Sequence, residues 1–295
     1  MPLEDLWPTA QALRRRLRAH YDPAAGQAAE SAGLNGPGWT LLLRAHLAAP
    51  RPLSAAWLGA LNPTINPWTY EAGLQHLAAV GLLGSEAGAY PLTPAGRAAL
   101  RPILDAVYSA LRALGPLDAS ALGPLAKLLQ SVVSGSLVAP EPPGKVQLRL
   151  SHRLAAETPP LPLAAIDQAL ADLAAYRDDA HLAAWQMHAV SGPAWDVLGS
   201  LWPGPAATLA EVFFKLARRG WPRDAYARAV QELVTRGWVS ETEPYALTPQ
   251  GRAVRERAEA QTNTYFFAPW RALGTEALGE LGARLKALEA ALRLT

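Results

Sequence analysis

Tyr90-Pro-Leu-Thr-Pro-Ala-Gly-Arg97 and Tyr245-Ala-Leu-Thr-Pro-Gln-Gly-Arg252 are one phrase written twice, 155 residues apart. In each, a threonine stands directly before a proline. That is the order of a helix N-cap and a first helical residue that needs no N–H partner. Upstream the correspondence continues in the same order at an offset of 156. Gly36-Pro37-Gly38-Trp39 answers Gly192-Pro193-Ala194-Trp195. Tyr70, Gln75, Leu77 and Gly81 answer Tyr226, Gln231, Leu233 and Gly237, and Asp22 answers Asp178. Downstream, Arg112-Ala-Leu-Gly115 recurs as Arg271-Ala-Leu-Gly274. The anchors are Trp, Tyr, Gly and Pro rather than the abundant Ala and Leu, so the chain reads as an internal duplication. The one-residue change of offset fits a hairpin turn of different length.

The periodicity between these anchors predicts the same elements in both halves. In the first, Trp39 to Leu47 is an apolar helical run stopped by Pro50 and Pro52. Ser54 caps a short helix over 55–61, and Asn62 to Pro67 forms a turn. A third helix runs over 67–80 with Tyr70, Leu74 and Leu77 on one face, closed by Gly81. Leu82-Leu83 and Tyr90 to Leu92 then read as the two legs of a small hairpin before the helix capped by Thr93. The second half repeats this with Trp195 to Leu201, Leu209 to Arg218 and Arg223 to Thr235. A hairpin from Trp238-Val239 to Tyr245–Leu247 follows, then a helix capped by Thr248. The expected fold is therefore mainly α, an internally duplicated tandem winged helix-turn-helix with small β-hairpin wings and flanking helices. The halves are 1–115 and 161–295. Between them, 116–160 holds a helix over 117–133, a Pro-rich loop at Pro140–Gly144 and, from the alternation of Val146, Leu148 and Leu150, a short strand.

The sequence hairpin, Leu-Thr-x-x-Gly-Arg, helix resembles the wing end of MarR- and PadR-type regulators. A closer likeness is to a helix-turn-helix family common in actinobacteria, best over 177–274. It is carried by Arg177-Asp-Asp-Ala-His181, Arg219-Gly-Trp221, Arg236-Gly237, Leu247-Thr248 with Gly251-Arg252, Glu259-x-x-Thr262-Asn263, Pro269-Trp270 and Leu273-Gly274. Asn263 stands where that family is expected to have Asp, and Ala180 where it is expected to have Gly. The resemblance implies a helix-turn-helix fold and assigns neither reaction nor ligand.

Composition narrows the function classes. Half of the 295 residues are hydrophobic and 18% are charged, a globular composition long enough for two cores. The absence of cysteine removes disulfides, thiolate metal sites and cysteine nucleophiles. Glu4 and Asp5 precede any apolar run, unlike a signal peptide, and charges interrupt every long apolar stretch, so the expectation is a cytoplasmic chain with no membrane partner. A net charge of +2 gives only weak support for a nucleic-acid partner. Phosphate-loop, dinucleotide and nucleophile-elbow motifs are absent. No catalytic residue, cofactor or metal set is nominated, and the chain is not expected to be an enzyme. A tandem helix-turn-helix enzyme acting on DNA stands third among the readings.

The leading expectation is a double-stranded DNA partner and a transcriptional regulator acting as a single-chain pseudo-dimer. Its half-sites would lie roughly 34–36 Å apart. In the second half Arg218, Arg219, Arg223, Arg228 and Arg236 surround the third helix, residues suited to phosphates and guanine edges. The first half offers only Thr69 and His76, with no Lys or Arg on its third helix. The alternative is therefore a scaffold that binds a ligand or protein and has lost DNA. Trp185, Trp202 and Trp270 form a candidate pocket for a small aromatic effector. Trp39 and Trp195 are expected in the core, and Trp57, Trp68, Trp221 and Trp238 in the core or between the halves. His181 and His188 share a helix face and are expected in capping or core roles. Arg97 and Arg252, at a helix start, call for an anionic partner, either a structural carboxylate or a phosphate.

Overall fold

The computed structural model describes residues 3–115, 117–205 and 207–293. Pro116, where the connector begins by sequence, lies outside them, as does Met1. The first unit contains α1 (Leu3–Ser31), α2 (Gly36–Ala48), α3 (Ala55–Leu61), α4 (Pro67–Ala79), α5 (Pro94–Ala113) and α6 (Ala119–Val138). A connecting helix, α7 (Val146–His152), leads to the second unit. That unit holds α8 (Pro162–Gln186), α9 (Gly192–Leu201), α10 (Leu209–Leu216), α11 (Arg223–Thr235), α12 (Pro249–Arg271) and α13 (Thr275–Ala291).

Local chemistry sets these boundaries alike in both units. Asn35 and Ser191 cap α2 and α9, each followed by proline in the first turn. Ser54 and Thr208 cap α3 and α10, and the latter forms a reciprocal capping box with Glu211. The third helices end in the same six-to-one glycine motif. Gly81 and Gly237 take positive φ, Leu82 N–H donates to the Leu77 carbonyl (2.9 Å), and Trp238 N–H donates to the Leu233 carbonyl (2.9 Å). The repeated Thr-Pro-x-Gly phrase then acts as a clasp. The Thr93 hydroxyl donates to the Gly81 and Leu82 carbonyls and accepts from Gly96 N–H, while Thr248 does the same with Gly237 and Gly251. Gly96 and Gly251 have no room for a side chain, since an added Cβ would overlap the carbonyl oxygens of Leu82 and Trp238.

Four sequence expectations need correction. The β-hairpin wings do not form. Among the described residues there are no strands, only isolated bridges such as Leu83 to Leu92 and Val239 to Leu247. The second leg spends its hydrogen bonds elsewhere: Tyr90 exchanges both backbone bonds with Leu53 (2.8 and 3.1 Å), and Tyr245 does so with Ala207 (2.8 Å each). Those bridges tie the returning leg to the α2–α3 connection in one unit and the α9–α10 connection in the other, leaving two isolated bridges in the first hairpin, Leu83 to Leu92 and Glu86 to Ala89, and one in the second, Val239 to Leu247. The winged reading is thus replaced by two all-helical units with bridged turns; mainly α holds. Second, Val146 to Leu150 is helical because Asp179, from α8, accepts the Gln147 and Leu148 N–H groups (3.1 and 2.9 Å) and caps α7 from a distance. Third, Pro124, which by sequence is expected to interrupt or start the helix over 117–133, lies inside α6. Fourth, many prolines are expected by sequence to stand where helices stop, but Pro8, Pro23, Pro102 and Pro269 also lie inside helices.

The flanking helices build the centre of the molecule by exchange. In each unit the first helix packs along the fifth, α1 on α5 and α8 on α12. The sixth helix crosses over: α6 packs on α8 and α13 on α1, while α1 meets α8 and α6 meets α13. A large core joins α1 to α6 with most of α8, the end of α12 and α13. A smaller core, centred on Trp195, Val197, Leu198, Tyr226 and Leu233, belongs to α9–α11 and the adjoining ends of α8 and α12. Helix α6 has the length and hydropathy of a membrane span, but it packs on α8, α12 and α13.

Candidate nucleic-acid interface and the seam between the units

The five arginines around α11 separate into two groups once their partners are seen. Arg223, in the first turn, and Arg218, just before it, are exposed and make no ion pair or side-chain hydrogen bond among the described residues. Lys215 on α10 is exposed beside them. Arg228 is exposed and pairs with Asp224 one turn back (2.7 Å), a contact that costs little to exchange for another anion. Arg219 and Arg236 are committed inside the unit. Arg219 holds Asp196 of α9 (2.8 Å). Arg236 donates to the carbonyls of His188 (3.2 Å) and Ala189 (2.6 Å) and lies over the Trp238 ring. The available cations are therefore Lys215, Arg218, Arg223 and Arg228, clustered at the α10–α11 elbow.

Helix α4 presents a different surface. It has no Lys or Arg, and it exposes Trp68, Ala72, Gln75 and His76. Trp68 is 76% exposed at its first turn, contrary to the expected burial. Thr69 faces the other unit, with its hydroxyl against Gly220. Arg97 and Arg252 are both exposed and pair with no carboxylate among the described residues, which leaves the structural-carboxylate reading without a partner.

The two helix-turn-helix elbows are docked on each other. Asn66, the cap of α4, donates its backbone N–H to the Arg219 carbonyl (2.8 Å) and its side-chain amide to the Gly220 carbonyl (2.9 Å). The Trp221 indole N–H donates to the Thr64 carbonyl (2.7 Å). Gly192, at the start of α9, lies so close to the Pro63 backbone that a Cβ would overlap it. Because Asn66 touches Arg219 and only three residues separate Arg219 from Arg223, the first residues of α4 and α11 lie within about 25 Å. That is short of the roughly 34–36 Å between successive major-groove faces. The geometry does not offer two half-sites one turn apart.

Beneath the seam lies a cleft of about 360 Å³ between the α3–α4 turn and the second unit. Trp185 and Trp195 stack there (centroids 5.4 Å, interplanar 10°), and Arg255 lies over both Trp195 and Trp202. Of the expected aromatic pocket, Trp185 lines the cleft and Trp202 approaches it through Arg255. Trp270 is buried elsewhere, packed on Phe266 and Phe267. Trp195 is core as expected, whereas Trp39 is only partly buried against the larger core.

Histidine tautomers follow from proton bookkeeping. The Trp195 indole can only donate, so His181 Nε2 accepts from it (3.2 Å). Nδ1 therefore carries the proton, facing the Thr262 hydroxyl (3.3 Å), which donates on to the Ala258 carbonyl (2.7 Å). Burial and the nearby Arg255 push the His181 imidazolium down to about 4. The folded state thus binds this proton less readily than the unfolded chain, and the stability contributed above pH 6.5 is lost as pH falls toward 4. The effect amounts to about 2–3 kcal/mol. Asp178 and Asp196, both raised to about 6 chiefly by burial, act in the opposite direction. The measurement is therefore a difference: denaturant unfolding of wild type and His181→Gln between pH 7 and 4, where the variant is expected to lose less stability on acidification. Parallel pH profiles would contradict the neutral, doubly bonded imidazole. His188 instead stacks on Trp195.

The structure also gathers a serine, a histidine and an aspartate. The Ser151 hydroxyl donates to Asp172 (2.6 Å), and His152 Nδ1 meets the other carboxylate oxygen (2.7 Å). Serine and histidine both bond to the carboxylate rather than to each other. The imidazole is thus not placed as the base of the hydroxyl, and the group lacks the serine–histidine pairing of a triad.

The model of a helix-turn-helix family matches residues 101–295, from the later turns of α5 through the whole second unit. Comparison with curated proteins and with solved structures returns no match.

Proposed function

Taking as premise that the chain belongs to this helix-turn-helix family, we propose that it binds double-stranded DNA through the second unit and serves as a transcriptional regulator. The observation that carries this reading is the α10–α11 elbow. Lys215, Arg218 and Arg223 stand exposed there and make no ion pair among the described residues, at the entrance to the helix whose first turns would meet base edges. The matched family region contains this elbow and excludes α4.

The pseudo-dimer enters this proposal as architecture rather than as a pair of readers. The two six-helix units are read as copies of one ancestor whose last helices exchanged places. The first copy has become the element against which the second is positioned. Its elbow, without cations and docked on Arg219 and Gly220, supports a packing role. A scaffold that no longer binds DNA is the rival reading, favoured by that same docking.

A salt-dependent duplex titration separates the two. Wild type is expected to bind with a steep negative slope of log affinity against log salt. Arg218→Ala/Arg223→Ala should weaken binding roughly 10–100-fold and reduce the slope by about 2. Arg236→Ala, already committed to carbonyls, should leave the slope unchanged. Absence of binding at low salt, or a slope insensitive to the double variant, would favour the scaffold.

A further inference from the structure

A second hollow, of about 260 Å³, opens between α1, α2, α7 and α8. Its size corresponds to roughly nine water molecules at liquid density. One wall is apolar, formed by Leu43, Leu47 and Leu150. Most of the polar side chains that reach it are already satisfied. Thr40 donates to the Gly36 carbonyl, Gln147 to the Leu61 carbonyl, and Ser151 and Gln168 to Asp172. Three groups are left over: Arg14 from α1, Arg44 from α2 and Asp178 from α8.

None of the three makes a hydrogen bond or ion pair to protein among the described residues, and Arg14 Nε is buried without any partner. Buried guanidinium donors without acceptors are costly, and proteins rarely leave them so. Asp178 is in electrostatic reach of both arginines yet bonds to neither, and burial, with the neighbouring Asp179 adding to it, raises it to about 6. The hollow is thus lined by two arginines without ion pairs and by one aspartate, with an apolar wall of leucines; Asp167, in electrostatic reach of Arg14, stands outside its lining.

We propose that this hollow binds a small organic carboxylate, held by Arg14 and Arg44, with its apolar body against Leu43, Leu47 and Leu150. A carboxylate matches the fork geometry of guanidinium, and the terminal nitrogens of Arg14 and Arg44 make no hydrogen bond to protein among the described residues. A monocyclic body matches the volume. This inference goes beyond the DNA reading and is tested without DNA, so either can fail alone.

The probes are benzoate and its neutral analogue benzamide, titrated calorimetrically into the full chain, with thermal shift as a second readout. Benzoate is expected to bind saturably with a Kd of about 0.1–1 mM, and benzamide at least tenfold more weakly. Arg44→Gln, on the partly exposed face of α2, should weaken benzoate at least tenfold, as should Arg14→Gln. Should Arg14→Gln fail to fold, the α2 variant decides alone. Asp178→Asn, which removes the carboxylate lining the hollow, should tighten benzoate severalfold. Three results would each overturn the proposal: no saturable benzoate signal up to about 20 mM, equal binding of benzamide, or unchanged affinity in Arg44→Gln.

Discussion

Replacing Gly251 with alanine is expected to destabilise the second unit by about 2–4 kcal/mol. The added methyl would overlap the Trp238 carbonyl oxygen and stand 2.8 Å from its carbon. Both are backbone atoms, already fixed by the glycine turn that ends α11 and by the Thr248 clasp. Relief requires moving the start of α12 away from α11, which opens the small core around Trp195 and Leu233. That core is distinct from the larger one, so a calorimetric scan of Gly251→Ala should show its transition moving down by about 5–15 °C. Gly96→Ala, whose Cβ would overlap the Leu82 carbonyl, should cost a similar amount in the larger core. A variant of either glycine that unfolds like wild type would mean that the repeated phrase is not the clasp described here.

The second large effect concerns the seam. Gly192→Ala places a Cβ onto the Pro63 carbonyl group and 3.0 Å from the Thr64 nitrogen, again backbone that cannot rotate aside. The elbows must separate, and the bonds from Asn66 to Arg219 and Gly220 and from Trp221 to Thr64 are lost with them. At about 1 kcal/mol for each of these net contributions, the seam weakens by about 2–4 kcal/mol. Hydrogen exchange at the Asn66 amide reads this directly and should accelerate by roughly 30-fold or more, while amides in α1 and α8 keep their protection. Unchanged protection at Asn66 would mean that the contact does not persist in solution.

How much of this was legible beforehand depends on where each determinant lies. The helix borders were readable because their causes are local. Ser54, Thr93, Thr208 and Thr248 cap the helices they precede, and Gly81 and Gly237 supply the left-handed turn at the ends of α4 and α11. The wings were misread because the alternation in Leu82–Leu92 does not reveal that Tyr90 bonds to Leu53. Helix α7 was misread for the same kind of reason, since its cap, Asp179, lies on α8.

The candidate interface shows the same division. Spacing placed five arginines around α11. Only the fold shows that Arg219 answers Asp196 on α9 and that Arg236 answers two carbonyls beyond α8. Arg14 and Arg44 attracted no attention in the sequence because neither belongs to a motif. Their unpartnered state arises where α1, α2 and α8 meet. The seam itself had no visible signal, because nothing in the sequence says that Gly192 faces the turn at Pro63.

The most direct test of a chain that reads DNA through one unit, with the other docked beside it, is a hydroxyl-radical footprint. The target is a duplex selected by the protein from a random pool. The docked geometry predicts one protected groove segment, abolished by Arg218→Ala/Arg223→Ala. Two protected segments separated by one turn of the double helix would contradict it, because they require elbows farther apart than the Asn66–Arg219 contact allows.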